Sequence, residues 1–451
     1  MSRPTTPTVP PQWSRPRELA FQILADSRQG AYVNLALSKA LAGSSLTGAD
    51  RRWVTELVSG AARHLGSLDA IIEAAAGRSL TSLQPAVVDV LRLGAQQLLY
   101  MRVATHAAID QSVELARHRI GQRVTGLVNA VLRRVAVQGL SDWLDQLSVG
   151  LSTDQQLALR TSHPLWIVQA YRQVLPASEV EPALLANNQS PVPTLVVRPG
   201  LLERAALLAL AGGEPTPYSP WGVIRAGDPG EVAAIQAGLA GVQDEGSQLM
   251  AGLLDLVDAP DLPWLDLCAG PGGKTALMTG LAQKRRQSVV GAELHQHRAR
   301  LVVDALRGYG VAPVVVADGR IPAWNSAFGR VLVDAPCSGL GALRRRPEAR
   351  WRKQEADLGD LCLLQRALID QALDSVPPGG VVAYVTCSPH RRETVDQVAA
   401  VEASGRAEVL DAPSLWPQVE QATALDDRRC LQLWPHRHGT DAMFAAVLRR
   451  Q

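Results

Sequence analysis

Cysteine is scarce in this chain, five residues in 451, and none of the five stands in a Cys-x-x-Cys pair or at a short regular spacing. That excludes a disulfide framework and a thiolate zinc centre, and a reduced, cytoplasmic setting is expected. Long apolar runs are missing as well. None approaches the ~18 uninterrupted residues of a membrane span, so no membrane partner is expected. Residues 1–13 are rich in Pro and Thr and lack an apolar stretch or an early basic cluster. They read as a disordered tail rather than a signal peptide. Internal repeats are absent. His295 and His297, like His436 and His438, form His-x-His pairs without a third ligand nearby in sequence, so no metal is expected.

What the chain does have is length for about three domains of ordinary size and a charge distribution that divides it. Residues 14–150 carry 15 Lys and Arg against 11 Asp and Glu, residues 151–262 carry 5 against 12, and residues 263–451 carry 24 against 20. The formal net charge of +2 therefore conceals an acidic middle between two basic ends. Mild basicity is ordinarily no more than solvated surface, whereas clusters carry information. Arg344-Arg345-Arg346, Arg350 and Arg352-Lys353 follow Cys337, and Arg391-Arg392 follow Cys387. Such cations suit a phosphate backbone and lower the pKa of nearby thiols.

From Arg17 to Gln138 Ala and Leu recur every three or four residues, as at 86–93 and 127–134, which predicts a helical bundle over 14–150. Residues 151–245 mix short helices with Pro-rich breaks at 190–193 and 214–220 and suggest a small α+β module. In 246–451 strands and helices alternate: strands at 264–267, 288–292, 311–317, 331–333 and 381–385, helices at 273–284, 295–307 and about 357–373, and a last strand at 442–448. This pattern predicts an α/β domain on a doubly wound parallel sheet.

The first of these strands runs into Asp266-Leu-Cys-Ala-Gly-Pro-Gly-Gly-Lys-Thr275, a glycine-rich turn that opens a helix. Backbone N–H groups approach a ligand closely in such a turn, and the helix N-terminus favours its negative or polar parts. Cys268, Ala269, Gly270, Pro271, Gly272, Gly273 and Lys274 are therefore candidate cofactor-binding residues. A triphosphate P-loop is excluded, because Gly-x-x-x-x-Gly-Lys-Thr needs glycine where Cys268 stands. The second strand ends at Glu293, where a carboxylate accepts hydrogen bonds from ribose hydroxyls, and the third ends at Asp318, suited to an adenine amino group. Taken singly, a surface charge at Glu293 and a helix cap at Asp318 are equal alternatives.

Cys337 lies in Asp334-Ala-Pro-Cys-Ser-Gly339, and Cys387 in Thr386-Cys-Ser388. Each follows an expected buried strand, and parallel strands that end on one edge of a sheet bring both thiols to one cleft. Carbon 5 of cytosine is too poor a nucleophile to take a methyl group unaided. A thiolate that adds to carbon 6 makes carbon 5 enamine-like, and it must leave again afterwards. Two thiols beside a cofactor loop suit that chemistry. Burial as a small hydrophobe, the usual fate of cysteine, is the reading for Cys362 and Cys430, and Cys268 reads as a small apolar residue of the turn.

The segments 266–275, 334–341, 344–351 and 386–388 resemble the motifs of the Sun (Fmu) family of RNA cytosine-5 methyltransferases, and Val242-Gln-Asp-Glu-Gly-Ser-Gln248 and Gly439-Thr-Asp-Ala-Met-Phe444 extend the likeness over the catalytic half. The first domain resembles NusB-like RNA-binding modules, most visibly at 127–134, a fusion found among members that act on small-subunit (16S) rRNA. The resemblance implies a Rossmann-like domain in which Cys268 to Lys274 wrap S-adenosylmethionine, Glu293 binds its ribose, Asp318 its adenine, and Asp334 sits beside its methyl-bearing end. It further implies that Cys387 attacks carbon 6, that Cys337 assists product release, and that Asp334 hydrogen-bonds ring nitrogen 3.

Spacing alone does not order the thiols, and DNA cytosine-5 enzymes attack with a Pro-Cys cysteine, so Cys337 stays a rival nucleophile. Gly270 stands where many relatives have alanine and Arg346 where many have histidine, and neither departure removes a reactive group. The expected activity is methylation of carbon 5 of one cytosine in small-subunit rRNA by a monomeric enzyme. The same chemistry on tRNA or another rRNA site stays open, as does a non-catalytic RNA-binding assembly factor. The presence of Asp334, Cys337, Cys387 and the whole turn favours the enzyme.

Overall fold

The structure, a computed structural model, describes residues 15–310, 313–321, 324 and 327–451. The expected tail at 1–13 and the opening of the expected strand at 311–317 lie outside the described residues. Packing divides the chain into two units rather than three. One takes the residues up to Val168 together with Arg345–Arg352, and the other takes Gln169–Arg344 and Lys353–Gln451. The helix Thr153–Thr161 is bonded into the first unit: Leu159 O accepts from Ser67 Oγ at 2.7 Å and Ser162 Oγ from Gly66 N at 3.0 Å.

Helices dominate the described part of the first unit, among them Arg15–Arg28, Gly48–Arg63, Leu65–Ala76, Pro85–Leu99, Thr105–Arg119 and Thr125–Val135. Pro85 opens its helix at a position whose N–H would have no intrahelical partner. In Thr125–Val135 the side chains of Val128, Val131, Leu132 and Val135 are buried at the three-to-four-residue spacing seen in the sequence. They meet Leu57, Leu68, Ile71 and Ile72 in one core, each burial contributing about 1.5–3 kcal/mol.

Arg345–Arg352 belongs to this unit by its bonds. Glu348 Oε1 accepts from Val33 N at 3.1 Å, Trp351 Nε1 donates to Ala62 O at 3.1 Å, Arg350 Nη1 to Ser162 O at 3.0 Å, and Arg352 Nη2 to Ser27 O at 2.8 Å. Arg350 is buried, and so is Arg344 in the other unit, where its Nη2 lies between Asp244 at 3.3 Å and Asp441 at 3.4 Å. For Arg344 and Arg350 the expectation of gripping a phosphate backbone is corrected accordingly, whereas Arg345, Arg346 and Arg392 are exposed. A guanidinium whose donors are engaged inside the fold is not free to replace counterions on a nucleic acid.

The second unit contains two sheets. The smaller, with β1 (Thr194–Val197), β2 (Glu214–Pro215), β3 (Gly222–Ile224) and β4 (Ala240–Val242), is antiparallel in the order β2-β3-β1-β4 and is the expected α+β module. The larger contains β5 (Trp264–Asp266), β6 (Val289–Glu293), β7 (Val314–Val316), β8 (Arg330–Asp334), β9 (Val381–Thr386), β10 (Ala407–Leu410), β11 (Leu431–Gln432) and β12 (Phe444–Arg450). Its order is β10-β12-β9-β8-β5-β6-β7, with β11 beside β12. Strands β5 to β9 pair in parallel, whereas β12 runs antiparallel to both β9 and β10, so the sheet is mixed at the edge the last strand completes. Period-two alternation fills both faces. Val381, Ala383 and Val385 join Leu277, Met278 and Leu281 on one face, and Val382 and Tyr384 join Leu368, Ile369 and Val398 on the other.

The chain steps from β5 outward to β6 and β7 and then returns to β8 on the other side of β5. A crevice opens at such a reversal, at the carboxyl ends of the strands. The turn after β8 is stitched to its neighbours through Gly341, whose N donates to Cys387 O at 2.8 Å and whose O accepts from Ala442 N at 2.9 Å. A Cβ on Gly341 would lie 2.8 Å from Cys387 O and closer still to Ala442 O, backbone atoms that cannot rotate away. Gly341→Ala is therefore expected to lower the unfolding free energy by about 1–3 kcal/mol. Gly359→Ala, in the helix Leu358–Asp374 with open space around the added methyl, should raise it by up to about 1 kcal/mol. Urea denaturation of the two variants checks both signs.

Candidate active site

Five strand ends carry the expected site residues along one edge. Register places Asp266 of β5 beside Leu332 of β8, and Asp334 of β8 beside Val385 of β9. Asp334, Cys337 and Cys387 therefore emerge on one side of the β5 turn, and Glu293 and Asp318 emerge on the other, after β6 and β7. The cofactor candidates and the thiols meet at the crevice between β5 and β8.

The two sulphurs lie 3.4 Å apart, and Lys274 Nζ donates to Asp334 Oδ2 at 2.7 Å. Cys337 and Cys387 titrate in opposite senses. The Cys387 thiol is lowered, chiefly by the hydrogen bond it receives from Cys337, and the Lys274 ammonium adds to this against burial and Asp334. Cys337 is pushed well up, first by that same bond, then by burial and by the carboxylate of Glu393. The mutual hydrogen bond is the first cause of both shifts, with the Lys274 ammonium favouring ionisation of Cys387 and the Glu393 carboxylate opposing that of Cys337. Lys274 itself is raised: burial opposes its charge, but Asp334 outweighs burial. Asp266 is buried, accepts from Thr275 Oγ1 at 2.7 Å, and is pushed up to about 7 by burial.

The turn fits a bound nucleoside. Gly272 takes φ +103°, and a Cβ there would meet Ala305 Cβ at 2.7 Å, so the glycine lets the turn pack on the helix Gln296–Leu306. Asp266 Oδ1 and Gln243 Oε1 are buried without a hydrogen-bond partner, and Gln243 Oε1 lies 3.6 Å from where a Cβ on Gly273 would stand. Glu293 is buried at the end of β6 and accepts from Gly270 N at 3.1 Å and His295 N at 3.0 Å. A Cβ on Gly270 would stand 2.3 Å from Glu293 Oε2 and 2.9 Å from Arg298 Nε. Arg298 Nη2 donates to Gly270 O at 2.6 Å and so occupies the space beside the glycine. Asp318 is paired with Arg320 at 2.6 Å, which holds its carboxyl down at about 2. Cys268 is raised well above an ordinary thiol by burial and by Asp266, Asp334 and Glu293, which agrees with an unreactive place in the turn.

One functional group escapes the sequence. Glu393, wholly buried, accepts from Ser338 N at 2.8 Å and Gln365 Nε2 at 3.0 Å on Oε1, and from Ser338 Oγ at 2.5 Å and Ser388 Oγ at 2.7 Å on Oε2. Ser338 and Ser388 are the residues that follow the two thiols.

Residues 252–449 match the family described as 16S rRNA methyltransferase RsmB/F, and residues 14–137 match the NusB family. A ribosomal RNA small subunit methyltransferase B of Salmonella typhi is 33% identical over 367 residues, covering 78% of this chain and 81% of that protein. The chain belongs to the 16S rRNA methyltransferase RsmB/F family. A Mycobacterium tuberculosis (strain H37Rv) protein named as a methyltransferase is 46% identical over 442 residues, 96% of each chain. In fold, the solved protein PH0851 matches with a TM-score of 0.81 at 21% identity, covering 99% of this chain and 100% of that one. As an RsmB/F member the protein takes its methyl group from S-adenosylmethionine.

The charge assignment at the thiols has a direct check. Lys274→Met removes the cation that favours the Cys387 thiolate and leaves Asp334 uncompensated, so both changes raise the thiol's pKa. The alkylation of Cys387 by iodoacetamide, followed by peptide mass mapping, should shift to higher pH, with slower labelling at neutral pH. An unmoved profile would show that the ammonium does not set it.

Proposed function

We propose that this RsmB/F methyltransferase methylates carbon 5 of a cytosine in 16S rRNA through a covalent adduct with Cys387. The observation that carries the reading is the pair of sulphurs 3.4 Å apart beside the Lys274–Asp334 ion pair. S-adenosylmethionine, when bound by the turn Cys268 to Lys274 with Glu293 toward its ribose and Asp318 toward its adenine, supplies an electrophilic methyl group. Both oxygens of Asp318 accept from Arg320, so a bond from adenine to Asp318 replaces one of these, whereas Glu293 accepts one bond on each oxygen and has lone pairs to spare.

The Cys387 thiolate forms a bond to carbon 6, and the electron pair of the ring double bond moves to carbon 5, which becomes the nucleophile. Negative charge builds at the ring nitrogens as this happens. A proton passes from the Lys274 ammonium to the Asp334 carboxylate it bonds, and Asp334 then donates it to nitrogen 3, which neutralises that charge and leaves Lys274 as the amine. After methylation the carbon-5 proton is removed, its electron pair restores the double bond, and the Cys387 sulphur leaves as thiolate. Cys337 suits the proton removal. To act as base it must be a thiolate, its own proton having passed to solvent: the bond to Cys387, the first cause that opposes this, is lost once Cys387 is a thioether, while burial and Glu393 still oppose it. The base thus becomes easier to form when it is needed.

Retention of the full constellation and the 16S naming of the relatives support this reading over tRNA methylation or a non-catalytic assembly role. On this account Cys337→Ala should methylate once and stall, accumulating a denaturant-resistant protein–RNA complex while turnover falls about 10²–10⁴-fold. Cys387→Ala, and the double variant, should give neither complex nor product. Denaturing gels with 16S rRNA and S-adenosylmethionine decide it, since a trapped band in Cys387→Ala alone would reverse the two roles.

A further inference from the structure

Glu393 is a buried carboxylate whose two oxygens accept four hydrogen bonds, and none of the steps above uses it. Three of the four donors belong to the residues next to the thiols: the N–H and hydroxyl of Ser338 and the hydroxyl of Ser388. The fourth, Gln365 Nε2, also donates to Pro336 O at 2.9 Å, one residue before Cys337. The two serine hydroxyls themselves lie 3.0 Å apart. Glu393 is fixed in turn by its own backbone, whose carbonyl accepts from Tyr384 Oη of β9 at 2.7 Å.

We infer that Glu393 is a positioning residue: beside the backbone bond from Gly341 N to Cys387 O, one buried carboxylate ties the side chains next to Cys337 to the one next to Cys387 and so sets the spacing of the two sulphurs. Strand pairing by itself does not do this. The ladder between β8 and β9 has its last partners at Asp334 and Val385, and beyond them each thiol sits on irregular backbone. A wholly buried carboxylate bonded to both loops supplies the tie that the ladder does not. Its charge acts on one thiol more than the other, since it weighs on Cys337 and does not figure among the influences on Cys387. The clip therefore keeps Cys337 a donor while Cys387 ionises. The inference rests on the reading of the two thiols given above.

Glu393→Gln preserves the size of the side chain, removes its charge, and replaces one acceptor by a donor facing donors. In the full-length protein, labelling of Cys337 by iodoacetamide should shift to lower pH, because the anion that opposes its ionisation is gone. The formation of the RNA adduct in a single turnover should slow about ten-fold or more, since reactions between held groups are steep in distance. Affinity for S-adenosylmethionine, measured by calorimetry, should stay within about two-fold. Ser388→Ala removes one tie and no charge. It should slow adduct formation without moving the Cys337 profile, and it serves if Glu393→Gln does not fold. Adduct formation at the unsubstituted rate in either folded variant overturns the inference. So does an unmoved Cys337 profile in Glu393→Gln. If the unsubstituted protein itself forms no adduct, the proposed covalent reaction fails, while the labelling profile still tests the clip.

Discussion

The pairing of β8 with β9 in parallel, with Asp334 opposite Val385, is the constraint on which the chemistry depends, because it delivers a carboxylate and two thiols to one edge within a few residues of each strand's end. A slip of one residue would turn Val382 and Tyr384 from one core face to the other and would separate the sulphurs as well. The register is held by two independent cores, one on each face of β9. One core packs against Cys387 and the other against Cys268, and together they decide which atoms can meet.

Charge is the second determinant. Lys274 is the cation at the centre of a group of buried or half-buried acids, with Asp334 bonded to it, Asp266 behind the turn, and Glu393 and Asp441 farther along. A buried charge without a partner is costly, and each of these acids has an assigned donor: Lys274 for Asp334, Thr275 for Asp266, the two serines for Glu393, Arg344 for Asp441. The result is a field with direction. Lys274 favours the ionised form of Cys387 and Glu393 disfavours that of Cys337, so two chemically identical side chains are shifted in opposite directions.

Much of this was legible in the sequence, for reasons that can be named. Both thiols follow apolar runs, Arg330–Asp334 and Val381–Thr386, and apolar runs that alternate with helical segments place their ends on one edge. The turn at 266–275 announced itself by glycine, and the helical repeat at 127–134 by its spacing. What escaped has the opposite character. Glu393 stands in Arg391-Arg392-Glu393-Thr394, a stretch that reads as solvated surface, and nothing local marks one acid of that stretch for burial. Arg344 and Arg350 were misread for the same reason: a run of arginines signals phosphate only if it is exposed, and exposure is a tertiary property. β10 is short and at the edge, with alternate exposed residues, and leaves little periodic signal.

The membership of Arg345–Arg352 in the helical unit also bears on the order in which the protein is made. The helices up to Val168 leave the ribosome first, but the segment whose Trp351 and Arg350 bond to Ala62 and Ser162 follows roughly 180 residues later. At about 5–20 residues per second that interval is about 10–40 s. During it the nascent helical unit keeps an open seat for its last eight residues. The first unit is therefore completed only by residues made after the β8 strand and the Cys337 loop, late in synthesis.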